Sequence, residues 1–217
     1  MTAMQARGFF DGTIVTIELT LISIALGLIF GMLLALARIS KNKVVRGITW
    51  TYVWIFRGTP LMLQLIIVYF AIPLMANSIT GSYINVSMFG AAVIGLTLNT
   101  AAYLAEIFRA GILSIDKGQM EAAKALGMTY KQAMLKIIIP QTYRRVIPPF
   151  ANEFIMILKD TSLVIVIGLA ELTRVSKQFA ASGEWKFYFV AGAIYLFLTT
   201  ISTFVFDKME KHAARYE

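Results

Sequence analysis

Five stretches, each about 20 residues or longer and made almost wholly of apolar side chains, dominate this chain. A run of that length crosses roughly 30 Å of hydrocarbon as a helix rising 1.5 Å per residue. Helix is the expected state because backbone groups in lipid must be satisfied within their own segment. The runs cover about 13–37, 48–75, 88–108, 146–169 and 187–206, and the second is interrupted by Phe56-Arg57-Gly58-Thr59-Pro60. Ala35-Leu36-Ala37 looks like a signal-cleavage site, but the first run exceeds a signal core of about 7–15 residues, and its basic residues follow it. Of all 217 residues 58% are hydrophobic and 15% charged, against roughly 45–50% and about 25% in soluble domains. A chain this size has too little interior to hide such a surplus. The expectation is an all-α integral membrane protein, one domain over 1–217, with five transmembrane helices.

The net charge of +8 would suggest nucleic acid in a soluble protein. Here its distribution gives a different reason. With the N-terminus outside, the inner segments hold Arg38, Lys41, Lys43 and Arg46, then Arg109, Lys117, Lys124, Lys131, Lys136, Arg144 and Arg145, then Lys208, Lys211 and Arg215. The outer segments hold Arg7, Arg174, Lys177 and Lys186. Fourteen against four follows the positive-inside rule, so the C-terminus is expected inside and no nucleic-acid partner is implied. There is no cysteine and a single histidine, His212 in the polar tail, which excludes thiolate or histidine metal clusters and a Cys nucleophile.

Residues 110–145, between the third and fourth runs, are too well punctuated for a slack connector. Asp116 reads as a helix N-cap, with Gln119 three residues on. Gly127 stands where a glycine would close that helix. Thr129 and Gln132 form a capping box for a second helix, expected to run to Pro140. Two short helices at an angle make a rigid knuckle on the cytoplasmic side, of use to a partner that pushes on it.

The order Glu121-Ala122-Ala123, three residues, Gly127, nine residues, Ile137, one residue, Ile139, Pro140 resembles the EAA signature of ABC importer permeases, with Ile139 in place of leucine. Arg57-Gly58-Thr59-Pro60, Asn99 through Tyr103 with Glu106 and Arg109, Gly118-Gln119, Pro140-Gln141 and Lys159-Asp160-Thr161-Ser162-Leu163 resemble the polar amino-acid branch of that family, the histidine/arginine/glutamine type. The likeness covers about 13–210. It implies a multi-pass permease subunit of the bacterial cytoplasmic membrane. Such a subunit pairs with a second permease, a copy or a sister, and takes amino acids from an extracytoplasmic binding protein. The resemblance also implies that Glu121, Ala122, Ala123, Gly127 and Pro140 belong to the loop that couples to a cytoplasmic ATPase subunit. No Gly-x4-Gly-Lys-Ser/Thr loop occurs, so ATP and magnesium are expected on that partner, and no cofactor, metal or catalytic residue in this chain.

Ionisable groups inside spans are functional candidates. Glu153 and Asp160, seven residues apart, share a helix face about 10 Å apart along the axis. Asp160-Thr161-Ser162 is expected to stop and restart the helix, offering free backbone N–H groups around Thr161, Ser162 and Leu163 to an anionic group. With Asn99 as polar neighbour, these form the expected substrate site. Asp160 suits an ammonium group and Glu153 a side-chain cation, which favours arginine, lysine or histidine. Glu153 paired instead with Arg144, Arg145 or another cation is the competing reading. Glu106 and Arg109 stand as a local ion pair, an anchor or a substrate contact; Arg57 as an ion-pair partner or a snorkelling side chain; Glu18 is unassigned. Gly27 and Gly31 mark close helix packing. A proton-coupled secondary carrier would also use buried carboxylates but has no need of the knuckle. An intramembrane enzyme lacks its usual nucleophiles.

Overall fold

The computed structural model describes residues 1–181 and 183–214, and among these every regular element is helical. In chain order they are α1 (Ala3–Arg38), α2 (Lys43–Gly58), α3 (Leu61–Ile66), a π turn (Ile67–Ala71), α4 (Ile72–Thr80), α5 (Met88–Leu113), α6 (Lys117–Ala125), α7 (Tyr130–Ala133), a second π turn (Met134–Ile138), α8 (Ile139–Asp160), a 3-10 turn (Thr161–Ile167), α9 (Leu172–Ala180) and α10 (Lys186–Ala214). Four segments are long and apolar enough to cross a membrane: Ala3–Arg38, Leu61–Thr80, Met88–Leu113 and Lys186–Ala213.

Two expected spans differ from this. The run 48–75 is not one helix. Pro60 has no N–H to continue α2 and disfavours a helical Thr59, so α2 ends at Gly58 and a new helix starts at Leu61. The run 146–169 is α8 prolonged by the 3-10 turn, and α8 carries Arg144, Arg145, Glu153, Lys159 and Asp160. That charge keeps it out of the four apolar helices.

The bundle is organised around α1 and α5, which run parallel and nearly touch. A Cβ on Gly27 would lie 2.8 Å from Thr100 Cγ2, and one on Gly31 would lie 2.7 Å from Leu104 Cβ and 3.2 Å from the Ala101 carbonyl. Only glycine lets the two backbones approach so closely, the packing role expected of this pair. α3 runs against α5, Leu65 lying over Gly95. α8 also opposes α5, with Val146 seated on Gly111. α10 returns parallel to α1: Phe187 meets Phe9 at one end, and Phe206 meets Phe150 and Phe154 of α8 further along. The core joins Leu19, Ile24, Leu65, Leu96, Ile157 and Val164. Outward from it, Phe189, Leu196, Phe197 and Phe204 of α10 are all exposed. A belt of that kind would aggregate in water and suits a surface facing lipid or protein.

Candidate functional site

α2 ends beside the middle of α5. Tyr52 donates to the Leu98 carbonyl at 2.7 Å, and Asn99 Nδ2 donates to the Phe56 carbonyl at 3.1 Å. Asn99 lies about 17 and 21 Å from the two ends of α5 by helical rise, so the chain bends at mid-span depth. The bend leaves α2's last carbonyls without helical partners, and buried side chains reach them. Gln64 Nε2 donates to the Phe56 carbonyl at 2.9 Å, the Thr59 carbonyl at 3.1 Å and Thr59 Oγ1 at 2.9 Å, while its Oε1 accepts from Asn99 Nδ2 at 3.0 Å. Both hydrogens of the Asn99 amide are therefore engaged within the protein. The Arg57 guanidinium, at the elbow, sits 5.1 Å from the centre of the Tyr103 ring, a cation–π distance.

Glu153 is 7% exposed, Asp160 is half-buried, and Asp160 and Arg57 are charged groups within electrostatic reach of Glu153. The two carboxylates share a face, as their spacing requires. Asp160 makes no capping bond to the turn that follows. The expected stop and restart at 160–162 is corrected: the helix tightens into a 3-10 turn that ends at Gly168, where φ is +87°. A 3-10 turn replaces i→i+4 bonds by i→i+3 bonds and frees few donors. The Thr161 amide still donates to the Ile157 carbonyl, and its hydroxyl donates to the Leu158 carbonyl at 2.8 Å. Thr161 is fully buried, while Ser162 and Leu163 are half-buried.

Below the elbow a cavity of about 490 Å³ is lined by Arg57, Tyr103, Glu106, Ser114, Arg145 and Pro149, among others. At its edge Glu106 binds two guanidinium groups, Arg38 Nη2 at 3.0 Å and Arg109 Nη2 at 2.7 Å. The expected local pair with Arg109 is present, and Arg38 turns it into a clamp between α1 and α5. Arg145 donates to the Ser114 carbonyl at 2.6 Å, tying the start of α8 to the end of α5. Arg144 is also engaged.

The knuckle follows. Asp116 Oδ1 accepts from the Gly118 amide and caps α6. At its other end the Gly127 amide donates to Lys124 O at 2.9 Å and the Met128 amide to Ala123 O at 3.0 Å, with Gly127 at φ +77°. That is a Schellman closure. Thr129 and Gln132 make both bonds of their capping box. The second helix does not stop at Pro140. The π turn carries it through, with the Ile139 amide reaching back five residues to Met134 O, and Pro140 follows as the second residue of α8. α6 folds back on α7 and the π turn, burying the small side chains Ala123 and Ala133. Glu121, Ala122, Gly127 and Pro140 stay exposed, and Leu126 is 82% exposed.

A bundle of apolar helices with this appended knuckle matches a family model, the inner membrane component of binding-protein-dependent transport systems, over residues 27–214. The chain belongs to that family. It is 38% identical over 213 residues to the arginine transport system permease protein ArtQ of Bacillus subtilis, covering 97% of this chain and 94% of that one. It is also 38% identical to a putative glutamine transport system permease protein of Rickettsia typhi, covering 93% and 90%. A solved amino acid ABC transporter with histidines superposes with a TM-score of 0.86 at 36% identity, covering 95% of this chain and 94% of that one. The family's membrane subunits are non-catalytic, and this permease is read accordingly.

Three residues escaped the sequence reading. Gln64 is one polar residue in an apolar run, and nothing local marks its partners. Arg38 closes α1 and could have been suspected as a counter-ion for Glu106. Glu171 is fully buried outside the apolar helices, accepting from the Thr173 amide and the Tyr195 hydroxyl at 2.8 Å each and from the Arg174 amide at 2.9 Å. Burial drives its carboxyl above the ordinary value, against the pull of those donors. It caps α9 and joins it to α10.

Proposed function

We propose that this permease is the membrane subunit of an ATP-driven importer of polar amino acids, with arginine, lysine or histidine the favoured cargo. Five crossings serve it: α1, the α3–α4 segment, α5, α8 with its 3-10 extension, and α10, with the N-terminus outside and the C-terminus in the cytoplasm. Their alternating directions and the excess of Lys and Arg at one end support that topology, although Arg215 lies outside the described residues. The knuckle docks on a cytoplasmic ATPase subunit through α6, and ATP and magnesium bind there. A second permease, a copy of this chain or a sister, completes the pathway in the bacterial cytoplasmic membrane, and an extracytoplasmic binding protein delivers the amino acid.

The observation that carries this reading is α6, a capped and glycine-closed helix set on a long rod. Tyr130 to Asp160 runs as one helical piece through the π turn and past Pro148 and Pro149, so the knuckle and the pair Glu153 and Asp160 belong to one continuous element. A proton-coupled carrier has no use for such a lever.

For the cargo, Asp160 takes the ammonium group and Glu153 the side-chain cation, at a separation that arginine can span. With the Thr161 amide engaged, the carboxylate falls to Arg57 and to the exposed side of Ser162 and Leu163. Asn99 acts on this site through the elbow. A lone carboxylate at Glu153 would be costly to keep charged without a cation, and Arg57 alone is shared with the cargo. The test is uptake of arginine and of glutamine, each through its binding protein, by wild type and Glu153→Gln. Loss of arginine with glutamine retained is expected. Undiminished arginine uptake by the variant would remove Glu153 from the site.

A further inference from the structure

Arg57-Gly58-Thr59-Pro60 is an elbow at mid-span depth, and transport alone does not explain how tightly it is held. A helix that stops there presents carbonyls that lipid cannot satisfy. Thr59 Oγ1 donates to the Ile55 carbonyl at 2.8 Å. Gln64 and Asn99 then converge on the next carbonyl, Phe56, and on each other. Gln64 has two amide hydrogens and three acceptors within 3.1 Å, so one hydrogen is shared between two acceptors. Gln64 begins the next helix and Asn99 belongs to α5. The two amides therefore tie three elements at one point, immediately before Arg57.

We infer that Gln64 and Asn99 form an amide latch that positions Arg57, and thereby sets which amino acid the permease selects. Arg57 adjoins the carbonyl that both amides hold, and its guanidinium rests on Tyr103 of α5. If the latch opens, α2 can turn on Pro60, and the distance from Arg57 to Glu153 is no longer fixed. The spacing between the cation that meets a carboxylate and the carboxylate that meets a cation is what separates a long basic side chain from a short amide. The inference rests on the proposed cargo site, with Gln64 and Asn99 as positioning residues that act through Arg57.

The chain has no cysteine, and a Cβ at Gly58 meets nothing within 4 Å. Gly58→Cys therefore gives this chain one thiol, at the elbow, and its labelling in the assembled transporter is read on this subunit after the subunits are separated. Its labelling rate by a small water-soluble maleimide is read in that background and with Gln64→Met, Asn99→Leu or Thr59→Val added. Arginine and glutamine uptake are measured in the same set without the cysteine. Labelling is expected to rise about five-fold or more for Gln64→Met, whose bonds go together, and less for the other two. The arginine-to-glutamine uptake ratio should fall in the same order. If labelling is unchanged, or both cargoes fall in parallel with yield, the latch only plugs carbonyls and the inference is overturned. Should Gln64→Met fail to assemble, Asn99→Leu, which removes both bonds that α5 brings to the latch, decides by the same two readouts. A wild type that moves no arginine refutes the proposed cargo, while the labelling arm still decides the latch.

Discussion

The knuckle and the mid-span elbow are both places where a helix stops, and they are built in opposite ways. The knuckle uses residues within a few positions of one another: Asp116 on Gly118, Gly127 on Lys124, Thr129 on Gln132. It is exposed, and water can satisfy whatever its caps leave over. The elbow draws its donors from Gln64 and from Asn99, the latter 43 positions from the carbonyl it serves, because lipid offers none. Next to it the Glu106 clamp spans 68 positions to Arg38. Substitutions in the knuckle should therefore cost function with little stability, and those at membrane depth should cost stability first.

The sharpest way to break that contrast is at Glu106. Glu106→Gln leaves two guanidinium groups facing one another with side chains only 15% and 30% exposed. Breaking such a pair costs about 3–5 kcal/mol, so membrane yield and melting temperature in detergent should drop steeply. Unchanged melting would show that the clamp is dispensable.

Gly31→Val comes next. Its Cβ meets Leu104 and the Ala101 backbone, which cannot move aside, and overpacking of this kind costs about 1–3 kcal/mol. The melting temperature should fall, and more than for Gly47→Val, where a Cβ meets nothing within 4 Å. Equal losses would mean that α1 and α5 do not pack this closely.

These cases also show what the sequence made legible. The apolar helices α1, α5 and α10, the helix caps of the knuckle and the closing glycine were readable because each signal is periodic or local. The helix through Pro140 was not, because a π turn shifts the hydrogen-bond register without leaving a residue signature. The division of 48–75 was half legible: Arg57-Gly58-Thr59-Pro60 marked an interruption, but not that α2 ends at Gly58 and a separate helix starts at Leu61. At the site, spacing placed Glu153 and Asp160 on one face correctly. The partners of Asn99, the Arg38 half of the Glu106 clamp and the Tyr195 bond to Glu171 depend on how separate helices meet, which no local pattern states.

In the knuckle the expected effects on stability are smaller. Gly127→Ala puts a side chain at φ +77°, a strain of about 1–2 kcal/mol confined to the turn. Yield and melting should change less than for Gly31→Val. A larger loss would make the knuckle part of the folding core.

The smallest stability effect belongs to Glu121→Lys. Glu121 is exposed, and such changes usually stay within about 0.5 kcal/mol. The protein should insert and melt as wild type while retaining less ATPase on copurification. Full retention would move the docking surface away from α6.

Cargo-stimulated ATP hydrolysis by the reconstituted assembly, wild type against Gly127→Asp, tests the central claim most directly. The claim is that a membrane subunit is driven through this knuckle. The account predicts that the variant inserts in the membrane but loses the stimulation that cargo-loaded binding protein gives the wild type. Gly127→Asp assemblies that retain their ATPase and stimulate it as fully as wild type would contradict it.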